Sequence, residues 1–198
     1  MIEYTVKVHS NGNVFWKLNG YLHREGDKPA VEYVDDHKAW YTNGKLHREG
    51  DKPAIEHAKG DKSWWLNGES HREGDKPAIE YANGHKEWCI KGKCHREGDK
   101  PAVEHANGDK SWYLNGKLHR EGDKPAVEYA DGTKEWHVNG ERHRENGAAV
   151  EHASGKKEYW LNGDYVSKAT HAVLTQTTKE LTVADIEKLL GHKVKVVK

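Results

Sequence analysis

An all-β repeat array is predicted: an antiparallel meander or solenoid of 24-residue units, closed by a small C-terminal helix and strand. Three observations point to it. His-Arg-Glu recurs six times, beginning at His23, His47, His71, His95, His119 and His143, always 24 residues apart. A fixed period of this length marks a repeat architecture, in which each unit buries its core against its neighbours. Each period holds Gly-containing pairs between short runs of alternating character, which is the strongest local signal for β-hairpins. A tryptophan also recurs in register, at Trp16, Trp40, Trp64, Trp88, Trp112 and Trp136, followed by Tyr159 beside Trp160. About seven units are expected over residues 1–166, with the cap over 167–198.

The elements follow in order within a unit. From Pro77, Pro-Ala-Ile-Glu-Tyr-Ala leads into Asn83-Gly84, then His-Lys-Glu-Trp-Cys-Ile into Lys91-Gly92, then Lys-Cys-His-Arg into Glu-Gly-Asp-Lys and Pro101. Both Gly pairs read as two-residue type I′ turns, because Gly supplies the positive φ they require. The Glu-Gly-Asp-Lys segment is a third turn, and its Pro suits a strand start. This register sets Ile79 opposite Trp88 and Tyr81 opposite Lys86. One face then carries Ile79, Tyr81, Lys86, Trp88 and Ile90, and is taken as the core. Across the second turn Trp88 opposes His95 and Glu87 opposes Arg96, so the repeated His lies on the Trp side and the repeated Arg on the polar side.

A second period lies inside the first. The residue after the repeated Glu alternates as Tyr33, His57, Tyr81, His105, Tyr129 and His152. Either the unit of duplication was a pair, or successive units meet different neighbours; shared ancestry is the simpler reading.

The ends depart from the pattern. Ile2-Glu3-Tyr4-Thr5-Val6 stands in place of Pro-Ala-Val-Glu-Tyr, and Arg144-Glu145-Asn146-Gly147-Ala148 is a shortened sixth turn. In the tail, Thr182 with Asp185 three residues on reads as a helix start, Gly191 as its stop, and Val194-Lys-Val-Val as a final strand. Such a cap would protect the open edge of the array.

Composition bounds the function. Lys plus Arg and Asp plus Glu number 32 each, so no global charge favours nucleic acid or an anionic membrane. The first residues lack the apolar core of a signal peptide, and no run approaches the roughly 20 apolar residues of a membrane helix. A cytoplasmic protein is expected. At 34% the apolar fraction is low for a globular domain, and the periodic Trp and Tyr carry the argument for an ordered chain.

Gly-x-Lys-x-Trp-x-x-Asn-Gly-Lys-x-His, carried well by Gly108 to His119 and Gly132 to His143, resembles the MORN repeat, a β-hairpin unit of similar length. The resemblance spans about residues 10–165 and extends to YwqK-type antitoxin repeats and to uncharacterised phage and giant-virus repeat proteins. The chain departs from MORN units where they carry Gly after the His, having Arg48, Arg72, Arg96, Arg120 and Arg144 instead. The resemblance implies scaffolding, partner binding or toxin neutralisation rather than catalysis.

Three constellations could carry chemistry. The His ladder suits packing against the indoles better than a metal site, and no metal or cofactor is expected. The Arg-Glu-Gly-Asp-Lys loops could hold a small phosphorylated ligand through Arg48, Lys52, Arg72, Lys76, Arg96, Lys100, Arg120 and Lys124, although their own acids cancel the charge. The residues after each ladder Trp, namely Tyr41, Trp65, Tyr113, His137 and Trp160, read as an exposed, variable stripe off the core. They are the candidate surface for a protein partner, with stacking on sugars as an alternative. Cys89 and Cys94 fall opposite each other and read as a reduced pair in a reducing compartment. No nucleophile–base–orienter set is present, so an enzyme is not expected. The leading expectation is a non-enzymatic repeat protein that binds, and by binding neutralises, a protein partner; a phosphate-sequestering array and a carbohydrate module are the alternatives.

Overall fold

A computed structural model describes residues 4–175 and, beyond them, positions 183–184, 187 and 193–194. Among the described residues, sixteen strands join in one antiparallel sheet, in chain order apart from short excursions. The all-β repeat array with a helical cap is the observed fold. Each interior unit adds two short strands to the sheet, such as Ile79–Glu80 and Lys86–Glu87. The chain then leaves the sheet at the ladder Trp. It forms a separate side hairpin, Cys89–Ile90 with Lys93–Cys94. Five such hairpins are seen, so the unit is a sheet hairpin plus a side hairpin rather than three strands of one meander. Successive side hairpins are joined by single backbone bonds, as when Gly92 N donates to Ser70 O at 3.0 Å.

The two turns differ, and the difference corrects the expected register. Lys91 and Gly92 both have positive φ, at 49° and 74°, which is the predicted type I′ geometry. The first turn is a three-residue loop. Tyr81 N donates to His85 O and Gly84 N to Tyr81 O, and of the loop residues only Gly84 has positive φ. Asn83 uses its side chain to accept the N–H of His85 at 2.9 Å, which holds it in an ordinary turn conformation. Where Gly is missing, Asp36 takes its place with φ at 66°.

The extra loop residue shifts the pairing by one, so Ile79 opposes Glu87 and not Trp88. The expected core face therefore breaks up. Trp88 is buried, but Tyr81, Lys86 and Ile90 are exposed. Residues from the face expected to be polar are buried instead: Ala78 is fully buried and Cys89 nearly so. The core is a line of Trp, Ala and Val along the array, with Ala30, Ala54, Ala78, Ala102, Ala126 and Ala149 at 0% exposure. No larger side chain fits there without moving its neighbours.

The end units run straight through the Trp position, as strands Val14–Leu18 and Lys157–Leu161. The first strand is Tyr4–Val8, with Lys7 opposite Phe15. Val6-Lys7-Val8 thus stands where other units have Ala-Val-Glu, which moves the start of the frame from the expected Ile2-to-Val6 alignment. At the other end a helix the sequence reading did not anticipate, Lys168–Thr175, follows directly on Ser167, which stands at the position of the repeated Arg. Ser167 Oγ accepts the N–H of Thr170 at 3.0 Å, an N-cap bond. The buried His171 bonds the carbonyl of Arg144 at 2.7 Å and packs on Tyr159, the last member of the Trp ladder, at 5.1 Å between ring centroids. The expected helix from Thr182 and strand from Val194 fall mostly outside the described residues, of which Val183, Ala184 and Glu187 are helical. No helix among the described residues is long and apolar enough to cross a membrane.

Candidate functional site

The repeated Arg is the hub of each junction between units. Arg96 lays its guanidinium over the Trp88 ring, 3.7 Å from the centroid. Its Nε and Nη2 donate to the two carboxylate oxygens of Asp75 in the preceding loop, at 2.7 and 3.4 Å. Its Nη1 donates to Pro101 O at 3.2 Å and to Glu104 at 3.0 Å. Lys100 Nζ reaches the same Asp75 at 2.6 Å, while Trp88 Nε1 donates to the Asp75 carbonyl at 3.2 Å. The bonds from Arg96 and then Lys100 hold the Asp75 carboxyl down to about 2, and the counterparts at Asp51 and Asp99 sit equally low.

This geometry overturns the expected split of the His-Arg pair. Arg, not His, lies on the indole, in six junctions at 3.6–3.8 Å. The planar guanidinium suits stacking and forked carboxylate bonds at once. The His has another task. His47 Nδ1 accepts the backbone N–H of Asn67 in the next side hairpin, at 3.2 Å, so its Nε2 carries the proton and donates to Glu49 at 2.8 Å. The same reach over about one unit recurs from His23 to His143.

Between successive loops lie four equivalent clefts of 400, 480, 430 and 360 Å³ in chain order. Each is walled by two Arg-Glu-Gly segments and floored by a ladder Trp with the two residues after it. Tyr41, Trp65 and Tyr113 line three of them, and Cys89 lines the fourth. Arg48, Arg72, Arg96 and Arg120, with Lys52, Lys76, Lys100 and Lys124, line them as well, so both candidate sets meet in the same clefts.

Neither set has its expected character. Tyr41, Trp65, Tyr113 and Trp160 are half-buried and His137 is buried, so they are not an exposed stripe. The strand bends at the ladder Trp and turns them back toward the residue before it, as when Trp65 Nε1 donates to Ser63 Oγ at 2.7 Å. His137 and Trp160 lie outside these four clefts. The Arg and Lys groups are already held by carboxylates of the chain itself, namely Asp27, Asp51, Asp75 and Asp99.

Two features of the clefts were not singled out from sequence. In three of the four clefts the second residue after the Trp is apolar and exposed, namely Leu66, Ile90 and Leu114, with exposures of 41, 36 and 38%; in the first it is Thr42. The rim Glu side chains Glu49, Glu73, Glu97 and Glu121 are 86–90% exposed and touch only the local His. The free charge at each cleft mouth is therefore negative, over an exposed apolar floor residue in three of the four. Both signals were in the repeat, but apolar residues beside a turn and a Glu beside an Arg carry no mark of their own.

No family model matches this chain, and no match was found among curated proteins or solved structures. What fold and site define is a class: an all-β repeat array with a periodic row of clefts.

Proposed function

We propose that this chain is a non-enzymatic binding array, similar in kind to MORN-like repeats, which captures an extended segment of a protein partner in its successive clefts and so inhibits that partner. The observation that carries this reading is the row of four similar clefts, each with an acidic rim and three of them with an exposed apolar floor residue, Leu66, Ile90 or Leu114. An extended chain can meet several in turn, and linked weak contacts add up by effective concentration. The rim charge favours a segment in which Lys or Arg alternates with apolar residues. An antitoxin or phage anti-defence role in a reducing cytoplasm fits such capture, and the two cysteines are free thiols.

The phosphate-sequestering alternative is weakened by the internal Asp and Glu that use the Arg and Lys donors. The carbohydrate alternative is weakened by the half-burial of Tyr41, Trp65 and Tyr113. The test is fluorescence anisotropy with labelled extended peptides of graded charge and length. Basic–apolar peptides should bind with affinity that rises stepwise with length. Changing Leu66, Ile90 and Leu114 together to Ser should weaken binding by about tenfold or more. Equal binding of acidic peptides, or displacement by millimolar phosphate, would reverse the assignment.

A further inference from the structure

One unit differs from its neighbours in the space between the sheet and the side hairpin. Three positions face each other there: the residue before the ladder Trp, the residue after it, and the partner of the latter across the side hairpin. In the unit of Trp136 they are Glu135, His137 and Arg142. Arg142 donates to Glu135 at 3.0 and 3.2 Å, and His137 Nε2 contacts it at 2.9 Å. In the last unit the corresponding Glu158 is held by Lys156 at 2.7 Å and by His152 at 3.1 Å. Each of these partly buried carboxylates has a Lys or Arg side chain from the chain itself.

Glu87 does not. Its companions at those positions are Cys89 and Cys94, directly opposed across the side hairpin. The carboxylate accepts from Tyr81 OH at 3.3 Å and meets His85 Nε2 at 3.0 Å; no Lys or Arg among the described residues reaches it. The donor atoms of Glu87, Cys89 and Cys94 lie within 4.8 Å of one another. We propose that these three residues form a site for one thiophilic divalent ion of the zinc type, standing where Arg142 stands 48 residues later.

The chemistry fits. Thiolate pairs select zinc-like ions over magnesium or calcium. Tetrahedral zinc with sulfur at about 2.3 Å needs sulfurs about 3.8 Å apart, so the donors close in by at most about 1 Å. Binding releases the thiol protons to solvent, leaving two thiolates and one carboxylate on the ion. His85 and Tyr81 orient the carboxylate from outside, as second-layer groups at metal sites do. Cys89 lines the 430 Å³ cleft, so the site borders that cleft on one side.

The experiment is an anaerobic titration of the reduced full chain with cobalt(II), followed by zinc(II). The expected result is one cobalt per chain, with thiolate-to-cobalt charge-transfer absorption and strong tetrahedral visible bands, both bleached by one equivalent of zinc. Adventitious binding at the other histidines gives no thiolate band. Cys94→Ser should remove the charge-transfer band, and His85→Ala should weaken binding by roughly tenfold. The double change Cys89→Tyr with Cys94→Leu copies the folded Tyr113–Leu118 pair and should bind no ion at this site. Absence of the thiolate band from the wild-type chain at excess cobalt would overturn the assignment, as would its retention in Cys94→Ser. So would finding both thiols joined as a disulfide in protein taken from a reducing cytoplasm.

Discussion

Two seams run the length of the array, one on each side of the ladder Trp, and they are built on different plans. From Arg48 to Arg120 the loop seam repeats the same node: Arg over Trp, forked onto the Asp of the preceding loop, with Lys on the same carboxylate; at Arg144 the fork onto Asp123 remains without the Lys. The turn seam alternates. At one junction the Asp61 carboxylate accepts the N–H of Ala82 at 2.8 Å, and Asp109 does the same for Ala130 at 2.7 Å. At the junctions between, His37 meets the His57 ring and His85 the His105 ring, each pair at 4.5 Å between centroids. The 48-residue period therefore corresponds to two kinds of contact between neighbours. The loop seam gathers charge, stacking and a buried ring in one place, and it is the stronger of the two.

Breaking the loop seam in the middle of the array should have the largest effect. Trp88→Ala removes a ladder ring that is 6% exposed and should cost about 4 kcal/mol by denaturant unfolding. Arg96→Ala loses the stacking, leaves Asp75 to Lys100 alone and removes the donor to Glu104 and the Pro101 carbonyl, for about 2 kcal/mol. Arg96→Lys keeps the charge without the fork and should recover less than half of that. In a double-mutant cycle Trp88 and Arg96 should couple by about 1 kcal/mol. Additive losses would mean that the stacking is incidental.

Acid should act on the same seam. Asp51, Asp75 and Asp99 sit at about 2, against 3.8 for an ordinary Asp, because Arg and then Lys bond their carboxylates. A folded-state value below the unfolded one means stability that is complete above pH 3.8 and lost as pH falls toward 2. Several nodes titrate together, so circular dichroism should show one steep loss of structure in that window. Asp75→Asn should bring forward the failure of its own junction, visible as faster amide exchange around Trp88.

The turns were legible in the sequence because positive φ is a local demand that Gly and Asn announce. Whether Asn83-Gly84 makes a two- or a three-residue loop was not, since the same pair forms a two-residue turn at Asn115-Gly116, while Lys59-Gly60 forms the three-residue loop with no Asn at all. The extra loop residue decided the faces, and with them the apparent partner of every Trp. The Arg-on-Trp node was hidden for a different reason. Arg96 reaches its Trp eight residues back and its Asp twenty-one back, and the second reach exists only once units have stacked. The Cys89–Cys94 opposition could be read because it crosses a two-residue turn, but the place of Glu87 beside it follows from the bend at Trp88. The alternation of Tyr and His was plain in the sequence, whereas its physical content lies in contacts about twenty residues apart.

The smallest effect should come from exchanging the two kinds of turn junction. His37 lies 24 residues before Asp61, and the sheet-hairpin bonds around the two have the same pattern, with Tyr33 N to His37 O and His57 N to Asp61 O both at 2.9 Å. The backbone frames are therefore alike. His37→Asp gives up the ring contacts with His57 and Tyr33 and the contact with Asp35, and gains a carboxylate placed to accept the N–H of Ala58, as Asp61 accepts that of Ala82. Each contact is exposed and worth under about 1 kcal/mol, so the exchange should change stability by less than about 0.5 kcal/mol. Thr133 already points this way: at a junction of the His class its hydroxyl accepts the N–H of Ala153 at 3.1 Å. A near-neutral result would make the alternation a matter of ancestry with interchangeable contacts. A loss well above 1 kcal/mol in denaturant unfolding would mean instead that alternate junctions differ in shape and that each requires its own side chains.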